Sequence, residues 1–353
     1  MVIKKVNIKN FRNIADICFT PDEKVNVLCG DNAQGKTNII EALWLFTGAK
    51  SFRGAHDAQL LQKGKQKGEI CAEFESGGVE NTAKIIIGEK REAFLNGKKL
   101  KNPAELSKYF FAFVFSPQDI TLASAAPAVR RRFLDTAVCQ ISPMYIQYLK
   151  DYTRAVTQRN NILRDCKFDA GKKIFLDDFE QAIIKNGEKI LDYRRRYINK
   201  LSQIIPDIFS KLTENKEVLD ISYISSINGD YETALKNSRS EDIIRGMTAV
   251  GPHRDDICFK INGFTAKEYS SQGQKRSIAI ALKIAGAEIL KTATGQPPTA
   301  LFDDVMSELD KTRQDYILNH IKNWQVFITC CEKAHFENMR QGKIFFIRNG
   351  GVV

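Results

Sequence analysis

The residues best suited to chemistry lie at positions 30–37, where GDNAQGKT follows a short apolar run and precedes a helical pattern. Two glycines, a lysine and a threonine have the spacing G-x-x-x-x-G-K-[ST] of a loop that cradles phosphates. Glycines let the backbone turn tightly and point its N–H groups at phosphate oxygens, beside the positive end of the next helix. A purely structural turn would need neither the lysine nor the threonine. The sequence therefore predicts a phosphate site formed by Gly30, Asp31, Asn32, Ala33, Gln34, Gly35, Lys36 and Thr37.

Within this loop two side chains have distinct chemistry. The ammonium group of Lys36 would reach the β- and γ-phosphates of a nucleotide, and the hydroxyl of Thr37 would bind Mg²⁺. A site that binds Mg²⁺ through Thr37 needs a second group near the metal. The acids Asp303 and Asp304, which follow the apolar run TALF, are the candidates. A carboxylate at the carboxyl end of a buried strand, here Asp303, can hold the hydration shell of Mg²⁺. Its neighbour Asp304 could polarise an attacking water. The alternative, two acids that only open a turn, is weakened by the phosphate loop.

A third pattern, SQGQ at 271–274, precedes a long helical pattern. A serine and a glycine at the start of a helix form another place where an anion can bind. Taken alone the pattern is weak, but its position ahead of the acid pair makes it specific. SELD follows the acid pair directly at 307–310.

The elements that must position these residues are mostly strands in the first 120 residues. VNVLC (25–29) is short and apolar, and NIIEALWLF after the loop has helical spacing. EICAEFES and ENTAKIIIG flank Gly77–Gly78 as a hairpin, and a second turn lies at Asn96–Gly97. Strand patterns return after Pro206, with a hairpin at Asn262–Gly263, the strands TALFDDV and WQVFITC, and a final hairpin in KIFFIRNGGVV.

Between these regions, residues 128–205 are helical in pattern. Apolar residues recur every three or four positions on either side of the polar segment DCKFDAGKK, with Arg159 skipped in the first series. Two amphipathic helices joined by a short break are expected to pack antiparallel. The predicted fold class is therefore α/β, with a helical insertion: residues 1–125 and 236–353 form the two parts of one domain, and 126–235 form the insertion.

Charge and composition limit the class of protein. The chain of 353 residues has a net charge of +11, which favours a polyanionic partner. Residues 126–205 carry 16 Lys and Arg against 9 Asp and Glu, either as a binding surface or simply as solvated helix faces. No apolar stretch approaches the roughly 20 residues of a membrane span. The start lacks the apolar core of a signal peptide, and the scattered cysteines favour a reducing compartment, so we expect a cytoplasmic protein without a membrane partner.

The order of these motifs resembles ABC-type ATPase heads and, among them, the RecF family of short-armed SMC relatives. The closer likeness is carried by IKNFRNI, GDNAQGKTNIIEAL, FSPQD (115–119), RRRFLD (130–135), GPHRDD (251–256), SSQGQKR and LFDDVMSELD, which together span the chain. The resemblance implies an ABC-type head with an inserted helical arm. It also implies ATP in the loop at 30–37, Mg²⁺ on Thr37 and Asp303, and Asp304 as the acid that activates water.

Further roles follow only from the resemblance. Gln118 would be the loop glutamine that senses the metal and the γ-phosphate, although RecF relatives often have glutamate there. Ser271, Gly273 and Gln274 would contact ATP held by a second subunit, and Asp310 would lie at the seam of this ATP-dependent homodimer. By the same resemblance the protein would be a weak DNA-dependent ATPase of recombinational repair. It would bind double-stranded and gapped DNA and assist RecO and RecR in loading the recombinase.

Two alternatives remain open at this stage: a transport-type ABC ATPase, and a DNA clamp that hardly hydrolyses ATP. Where an ABC transporter has a histidine after WQVFI, this chain has Thr329, Cys330 and Cys331, which favours the RecF likeness. His335 follows, but a lone polar histidine receives no role.

Two further motifs also stay open. In GPHRDD, one interpretation is that Gly251 and Pro252 only shape a turn. The other is that His253 and Arg254 face a phosphate of a nucleotide or of DNA. The arginines at 130–132 open a helix that faces DNA, or are ordinary surface.

Overall fold

A computed structural model describes residues 1–331 and 342–353 of the chain. Two compact units are formed, one by Met1–Thr121 with Arg276–Val353 and the other by Leu122–Lys275. The fold class is α/β with an insertion, as predicted, but residues 236–275 fall in the second unit. The reason is strand pairing, because Asp256–Ile261 pairs antiparallel with Leu219–Ile224, the strand that directly follows the long helices. His335 lies outside the described residues.

The described strands and helices have the following bounds. The strands are β1 (Val2–Phe11), β2 (Ile14–Phe19), β3 (Val25–Cys29), β4 (Gly68–Ser76), β5 (Val79–Ile87), β6 (Glu92–Leu95), β7 (Lys98–Lys99), β8 (Ala112–Phe115), β9 (Leu219–Ile224), β10 (Asp256–Ile261), β11 (Phe264–Thr265), β12 (Thr299–Phe302), β13 (Val326–Cys330), β14 (Lys343–Arg348) and β15 (Gly351–Val352). The helices are α1 (Lys36–Leu45), α2 (Asp57–Leu60), α3 (Pro117–Ile120), α4 (Pro127–Ile141), α5 (Pro143–Asp165), α6 (Leu176–Leu212), α7 (Tyr231–Arg245), α8 (Ala266–Tyr269), α9 (Gln272–Thr294) and α10 (Lys311–His320). The hairpins predicted at Gly77–Gly78, Asn96–Gly97 and Asn262–Gly263 are confirmed.

The first unit contains two sheets. One is antiparallel with the order β2-β1-β4-β5-β6-β7, and the other has the order β15-β14-β3-β13-β12-β8. In the second sheet β14, β3, β13, β12 and β8 are all parallel. Every residue of β8 and β12 is buried, which is why these strands read as unbroken apolar runs. Parallel strands end at the same edge of a sheet, so the segments after β3, β12 and β13 meet there.

Helix α1 fastens the phosphate loop to the core of the first unit. Eight of its ten residues are buried, including Ile39, Leu43 and Trp44, which pack with residues of both sheets. A helix that is apolar around most of its circumference is a core helix rather than a surface one. The loop that precedes α1 is therefore attached to a rigid element.

In the second unit, α5 packs along α6, which confirms the two predicted amphipathic helices. The end of the second helix was predicted wrongly, because α6 continues through Pro206 to Leu212. Proline lacks one N–H donor, but Ile208, Phe209 and Leu212 continue the buried stripe past it. Their burial outweighs the loss of one backbone hydrogen bond.

The skipped Arg159 is in fact a core residue. Its side chain is 0% exposed and is bonded to Glu180 at 2.9 Å, Asp242 at 2.7 Å and the Thr248 hydroxyl at 2.9 Å. A sequence pattern scores arginine as polar and so omits it, whereas the structure neutralises the charge with two carboxylates. A buried charge that keeps all its partners is tolerated, but one left without them is strongly destabilising.

A second buried arginine, Arg194, links α6 to three other segments. It is 2% exposed and forms an ion pair with Asp135, and it donates to the Tyr223 hydroxyl and to the Pro252 carbonyl oxygen. These bonds connect α4, β9 and the GPHRDD segment, so buried ionic contacts organise the second unit.

Among the described residues, no helix is both long and apolar enough to cross a membrane.

Arg159→Ala is expected to lower the free energy of unfolding by about 3–5 kcal/mol, because Asp242 would be left buried without a cation and Glu180 would keep only Arg239. The measurement is urea unfolding of the full chain followed by far-UV circular dichroism. Arg154→Ala, an exposed position on the same helix, is the matched control and should change the value by less than about 0.5 kcal/mol. Equal unfolding midpoints for the two variants would contradict a structural role for Arg159.

Candidate active site

The predicted phosphate loop lies between β3 and α1 and requires both of its glycines. At Gly35 the backbone has φ 113°, a conformation that strains other residues. A Cβ atom there would also lie 2.8 Å from the Asn13 side-chain oxygen. At Gly30 a Cβ atom would overlap the carbonyl oxygen of Ile347. The loop thus takes its shape from close backbone packing on both sides.

The loop opens onto a cavity of about 330 Å³. Its lining consists of Asn13, Asn32, Ala33, Gln34, Gly35, Lys36, Thr37, Asn38, Arg53 and Asp304. Most of the predicted loop therefore faces the cavity together with Asp304 from the end of β12. Gly30 and Asp31 do not line it, although their carbonyl oxygens bind Lys36.

Lys36 holds the loop in its present conformation. It is 4% exposed, and its Nζ donates to the carbonyl oxygens of Gly30 at 2.5 Å and Asp31 at 3.2 Å. The same nitrogen lies 3.3 Å from the Sγ atom of Cys331. To bind a phosphate, Lys36 must exchange these neutral acceptors for charged ones. The exchange is favourable because phosphate oxygens carry full negative charge, whereas carbonyl oxygens offer the ammonium group only a dipole.

The two predicted metal-side groups are in contact. The Thr37 hydroxyl donates to the Asp303 carboxylate at 2.7 Å. Burial raises the pKa of Asp303 to about 6, while the hydrogen bond from Thr37 acts in the opposite direction. A hydroxyl and a carboxylate oxygen are the hard donors that Mg²⁺ prefers, so the residues present fit this ion.

Asp304 is held by Thr329, the residue at the position where ABC transporters have histidine. The Asp304 N–H donates to Thr329 Oγ1 at 2.7 Å, and this hydroxyl donates back to the Asp304 carboxylate at 2.9 Å. The bonds keep Asp304 in the left-handed region at φ 51°, which is unusual for a residue other than glycine. In the sequence, Thr329 stood out only because it replaces the histidine of ABC transporters. The structure shows that it contacts Asp304.

Gln118 is not among the residues that line the cavity. It is exposed in the short helix α3, whose Asp119 accepts from the Ser116 N–H at 2.9 Å. Lys283 anchors this segment through an ion pair with Asp119 at 2.8 Å and a bond to the Val114 carbonyl at 2.7 Å. The sensing role of Gln118 remains a prediction.

Ser271, Gly273 and Gln274 belong to the second unit. The Ser271 N–H donates to the Gln274 side-chain oxygen at 2.7 Å, and the Gln274 N–H donates to Ser271 Oγ at 3.2 Å. This reciprocal pair caps the N-terminus of α9. Asp310 caps α10 by accepting from the Arg313 N–H at 3.1 Å. Their roles across a homodimer remain predictions.

Three cavity residues had no assigned role in the sequence: Asn13, Asn38 and Arg53. Arg53 donates to Asn38 at 3.2 Å, Asn38 donates to Asn13 at 2.8 Å, and Asn13 donates to the Ala33 carbonyl at 3.1 Å. Asn13 stands inside the quoted IKNFRNI motif, so its motif was a usable signal. The position of Arg53 in the sequence did not indicate a cavity residue, because only the tertiary fold brings Arg53 to the loop.

In the GPHRDD motif, the contacts of Gly251 and His253 support a structural role rather than a phosphate-facing one. A Cβ atom at Gly251 would overlap the hydroxyls of Tyr152 and Tyr231. His253 is bonded through one ring nitrogen to Tyr152 at 2.6 Å and through the other to the Thr248 carbonyl at 3.0 Å. Burial lowers the pKa of His253 to about 4, so the ring is neutral at pH 7 and does not act as a cation toward phosphate.

The arginine cluster at 130–132 is neither ordinary surface nor wholly a DNA-facing group. Arg130 is 3% exposed and forms an ion pair with Asp256 through two bonds at 2.6 and 2.7 Å. Arg131 donates to the Asp255 carbonyl at 2.7 Å. Both interpretations were therefore wrong for Arg130, because a run of charges does not show which member is buried.

Comparison with known proteins covers the whole chain. The family model described as RecF/RecN/SMC N terminal domain matches residues 2–352. The DNA replication and repair protein RecF of Lachnospira eligens is 34% identical over 360 residues, covering 100% of this chain and 99% of the relative. The chain belongs to the RecF family. RecF of Acetivibrio thermocellus is 35% identical, with 99% and 98% of the two chains covered.

Solved structures agree with RecF membership. A structure of the recombination mediator protein RecF with ATP in the RecFOR pathway has a TM-score of 0.92 and 32% identity, covering 100% of this chain and 97% of that one. The Smc head domain of Pyrococcus furiosus, bound to the C-terminal domain of ScpA, has a TM-score of 0.55 and 16% identity. This second likeness shows the shared fold only. The predicted family and ABC-type head are confirmed.

Lys36→Met should weaken binding of a nucleoside triphosphate, because the side chain would lose its charge-assisted bonds to phosphate. Such bonds contribute about 1.5–3 kcal/mol, which corresponds to roughly 10- to 150-fold in Kd. Titration with a fluorescent ATP analogue measures the change. Lys98→Met, an exposed position on β7, is the control. Equal affinities of the two variants would show that the loop is not the phosphate site.

Proposed function

We propose that this protein binds ATP, hydrolyses it slowly, and clamps duplex DNA as a homodimer during recombinational repair. The observation that carries the proposal is the junction of the phosphate loop with the end of β12, where Thr37 contacts Asp303 and Asp304 lines the same cavity. Family membership supports it, since a RecF relative with a TM-score of 0.92 was solved with ATP.

ATP binding would use groups already in place. The backbone N–H groups of the loop and the positive end of α1 would hold the phosphates, and Lys36 would turn to them from the Gly30 and Asp31 carbonyls. Thr37 and Asp303 would hold Mg²⁺, which supplies charge neutralisation for the phosphate oxygens. Asn13 and Arg53, which line the same cavity, would also contact the nucleotide.

Hydrolysis would depend on Asp304. Its carboxylate, oriented by Thr329, would accept a proton from water that attacks the γ-phosphate. ABC transporters usually have a glutamate at this position. The aspartate side chain is shorter and less basic, so turnover would be slow and ATP would act as a switch.

A homodimer would complete the site. Ser271 is exposed at the N-terminus of α9, and its Oγ accepts from the Gln274 N–H, which leaves the hydroxyl proton free to be donated elsewhere. In this proposal Ser271, with Gly273 and Gln274, binds the γ-phosphate held by the other subunit. Asp310 then lies at the seam, and ATP occupancy controls assembly. Gln118 would approach the γ-phosphate only on closure.

DNA would bind to a stripe of cations on α6. Lys185, Lys189, Arg196 and Lys200 are exposed and spaced four, seven and four residues apart, which places them on one side of the helix. The buried residues Gly187, Arg194 and Leu201 occupy another side. The stripe spans about 22 Å at 1.5 Å per residue, long enough to follow several phosphates of a duplex.

The cellular role follows from membership. RecF relatives carry the name DNA replication and repair protein, and one is described as a recombination mediator in the RecFOR pathway. By extension this protein would act at gaps and at junctions of single-stranded and double-stranded DNA. There it would assist RecO and RecR in loading the recombinase. A transport role has no support in these relatives.

Ser271→Arg should bind ATP but fail to dimerise, because the bulky cation would occupy the position of the second subunit's γ-phosphate. Sedimentation with a short duplex and a non-hydrolysable ATP analogue measures assembly, and the fluorescent analogue measures binding. Ser240→Arg, an exposed serine on α7, is the control and should dimerise. A dimer of Ser271→Arg, or loss of its ATP binding, would contradict action across two subunits.

Replacing Lys185, Lys189 and Lys200 together by alanine should weaken duplex binding at every sequence. The slope of log K against log salt should become shallower by about 0.9 for each phosphate that is no longer neutralised, or roughly 2–3 in all. The matched control replaces Lys63, Lys65 and Lys67, three exposed lysines of the first unit, and removes the same charge. Similar salt slopes for the two triple variants would place the DNA-binding surface elsewhere.

A further inference from the structure

Three thiols surround the base of the phosphate loop, at the ends of the neighbouring strands β3 and β13. Cys29 and Cys330 are direct partners in the parallel register of the two strands. Cys29 is buried, and burial raises the pKa of Cys330 to about 12. Burial therefore closes Cys29 to solvent reagents, and the raised pKa keeps the thiol of the half-buried Cys330 in its less reactive, protonated form.

Cys331 differs from them in exposure and in contacts. It is exposed, and its Sγ donates to the Asn32 side-chain oxygen at 3.1 Å and lies 3.3 Å from Lys36 Nζ. Asn32 and Lys36 both line the cavity of about 330 Å³. The Cys331 sulfur is thus at the edge of the proposed ATP site. It is open to a soluble reagent and lies against the ammonium group that the proposed function assigns to phosphate.

We propose that Cys331 is a modification site at which a low-molecular-weight disulfide, such as oxidised glutathione, blocks ATP binding. The Cys331 sulfur attacks one sulfur of the disulfide and forms a mixed disulfide. The original S–S bond breaks, and its other half leaves as a thiol that carries the proton of Cys331. The small disulfide is the oxidant, so no other co-reactant is needed, and an excess of free thiol reverses the exchange.

The consequence follows from the contacts of the sulfur. A glutathionyl group on Cys331 would lie against Asn32 and Lys36, and its carboxylates would compete with phosphate oxygens for the Lys36 ammonium. Bound triphosphate would in turn cover the sulfur. Modification and nucleotide would therefore exclude each other. This inference rests on the proposed ATP-binding function and adds that the same site responds to the thiol–disulfide balance of its surroundings.

The test treats the full-length protein with oxidised glutathione and maps the mixed disulfide by mass spectrometry of the intact chain and its peptides. Binding of a fluorescent ATP analogue is titrated before and after treatment, and again after dithiothreitol. We expect modification at Cys331, slowed by a non-hydrolysable ATP analogue. ATP binding should weaken by about tenfold or more after treatment and recover with dithiothreitol.

Two serine variants make the result specific. In Cys331→Ser, the affinity for the ATP analogue should be the same before and after treatment. Cys18→Ser changes another exposed thiol, and its affinity should fall on treatment as that of the wild type does. Modification of Cys331 without a change in affinity, or a loss of affinity in treated Cys331→Ser, would overturn the inference. Absence of ATP binding by the reduced, untreated protein would instead overturn the proposed function.

Discussion

The hydrogen bond between Thr37 and Asp303, 2.7 Å long, joins two segments that are 266 residues apart in the chain. One partner stands at the first turn of α1 and the other at the carboxyl end of β12. The contact exists because β3 and β12 are parallel strands of one sheet, separated only by β13, so the segments that follow them leave from the same edge. The contacts of Thr37 with Asp303 and of Thr329 with Asp304 depend on this common edge.

The same edge explains how the site controls its polar groups. The strand between them, β13, brings Thr329 to Asp304 and Cys331 to Lys36, so one strand end contacts both sides of the cavity. Lys36 is retained by backbone carbonyls and Asp304 by a hydroxyl, and neither charge is neutralised by a strong partner among these contacts. Such groups can be redirected to a ligand at moderate cost, because none of these contacts is an ion pair that has to be broken. The thiol at Cys331 is exposed to reagents for the same positional reason.

Positive charge in the second unit has two separate uses. Arg130, Arg159 and Arg194 are buried and paired with carboxylates, and they join helices to the segments that follow them. The lysines on the outer side of α6 are exposed, and among the described residues no ion pair involves Lys185, Lys189 or Lys200. The surplus of positive charge in this region is therefore not a uniform surface property. Only the exposed cations can release counterions from a polyanion, so only they bear on the proposed DNA binding.

The order of residues was enough to predict the family, most strands, and the strand–loop–helix setting of residues 30–37, because these depend on local spacing and on apolar runs. It was also enough to place Asp303 and Asp304 at the end of a buried strand, while their roles toward a nucleotide stay predictions. Two long helices were also predictable, although the second was ended too early at Pro206 and Arg159 was left out of the core. Burial of a charged residue depends on partners such as Glu180 and Asp242, and no local pattern encodes them. For the same reason, the folded chain was needed to show that Arg53 faces the cavity, that Thr329 holds Asp304, and that Cys331 touches Lys36. The contacts of Thr329 and Cys331 arise because β13 ends at the same sheet edge as its neighbours, and Arg53 reaches the cavity through the loop that follows α1. The spacing of these residues along the chain does not reveal either contact.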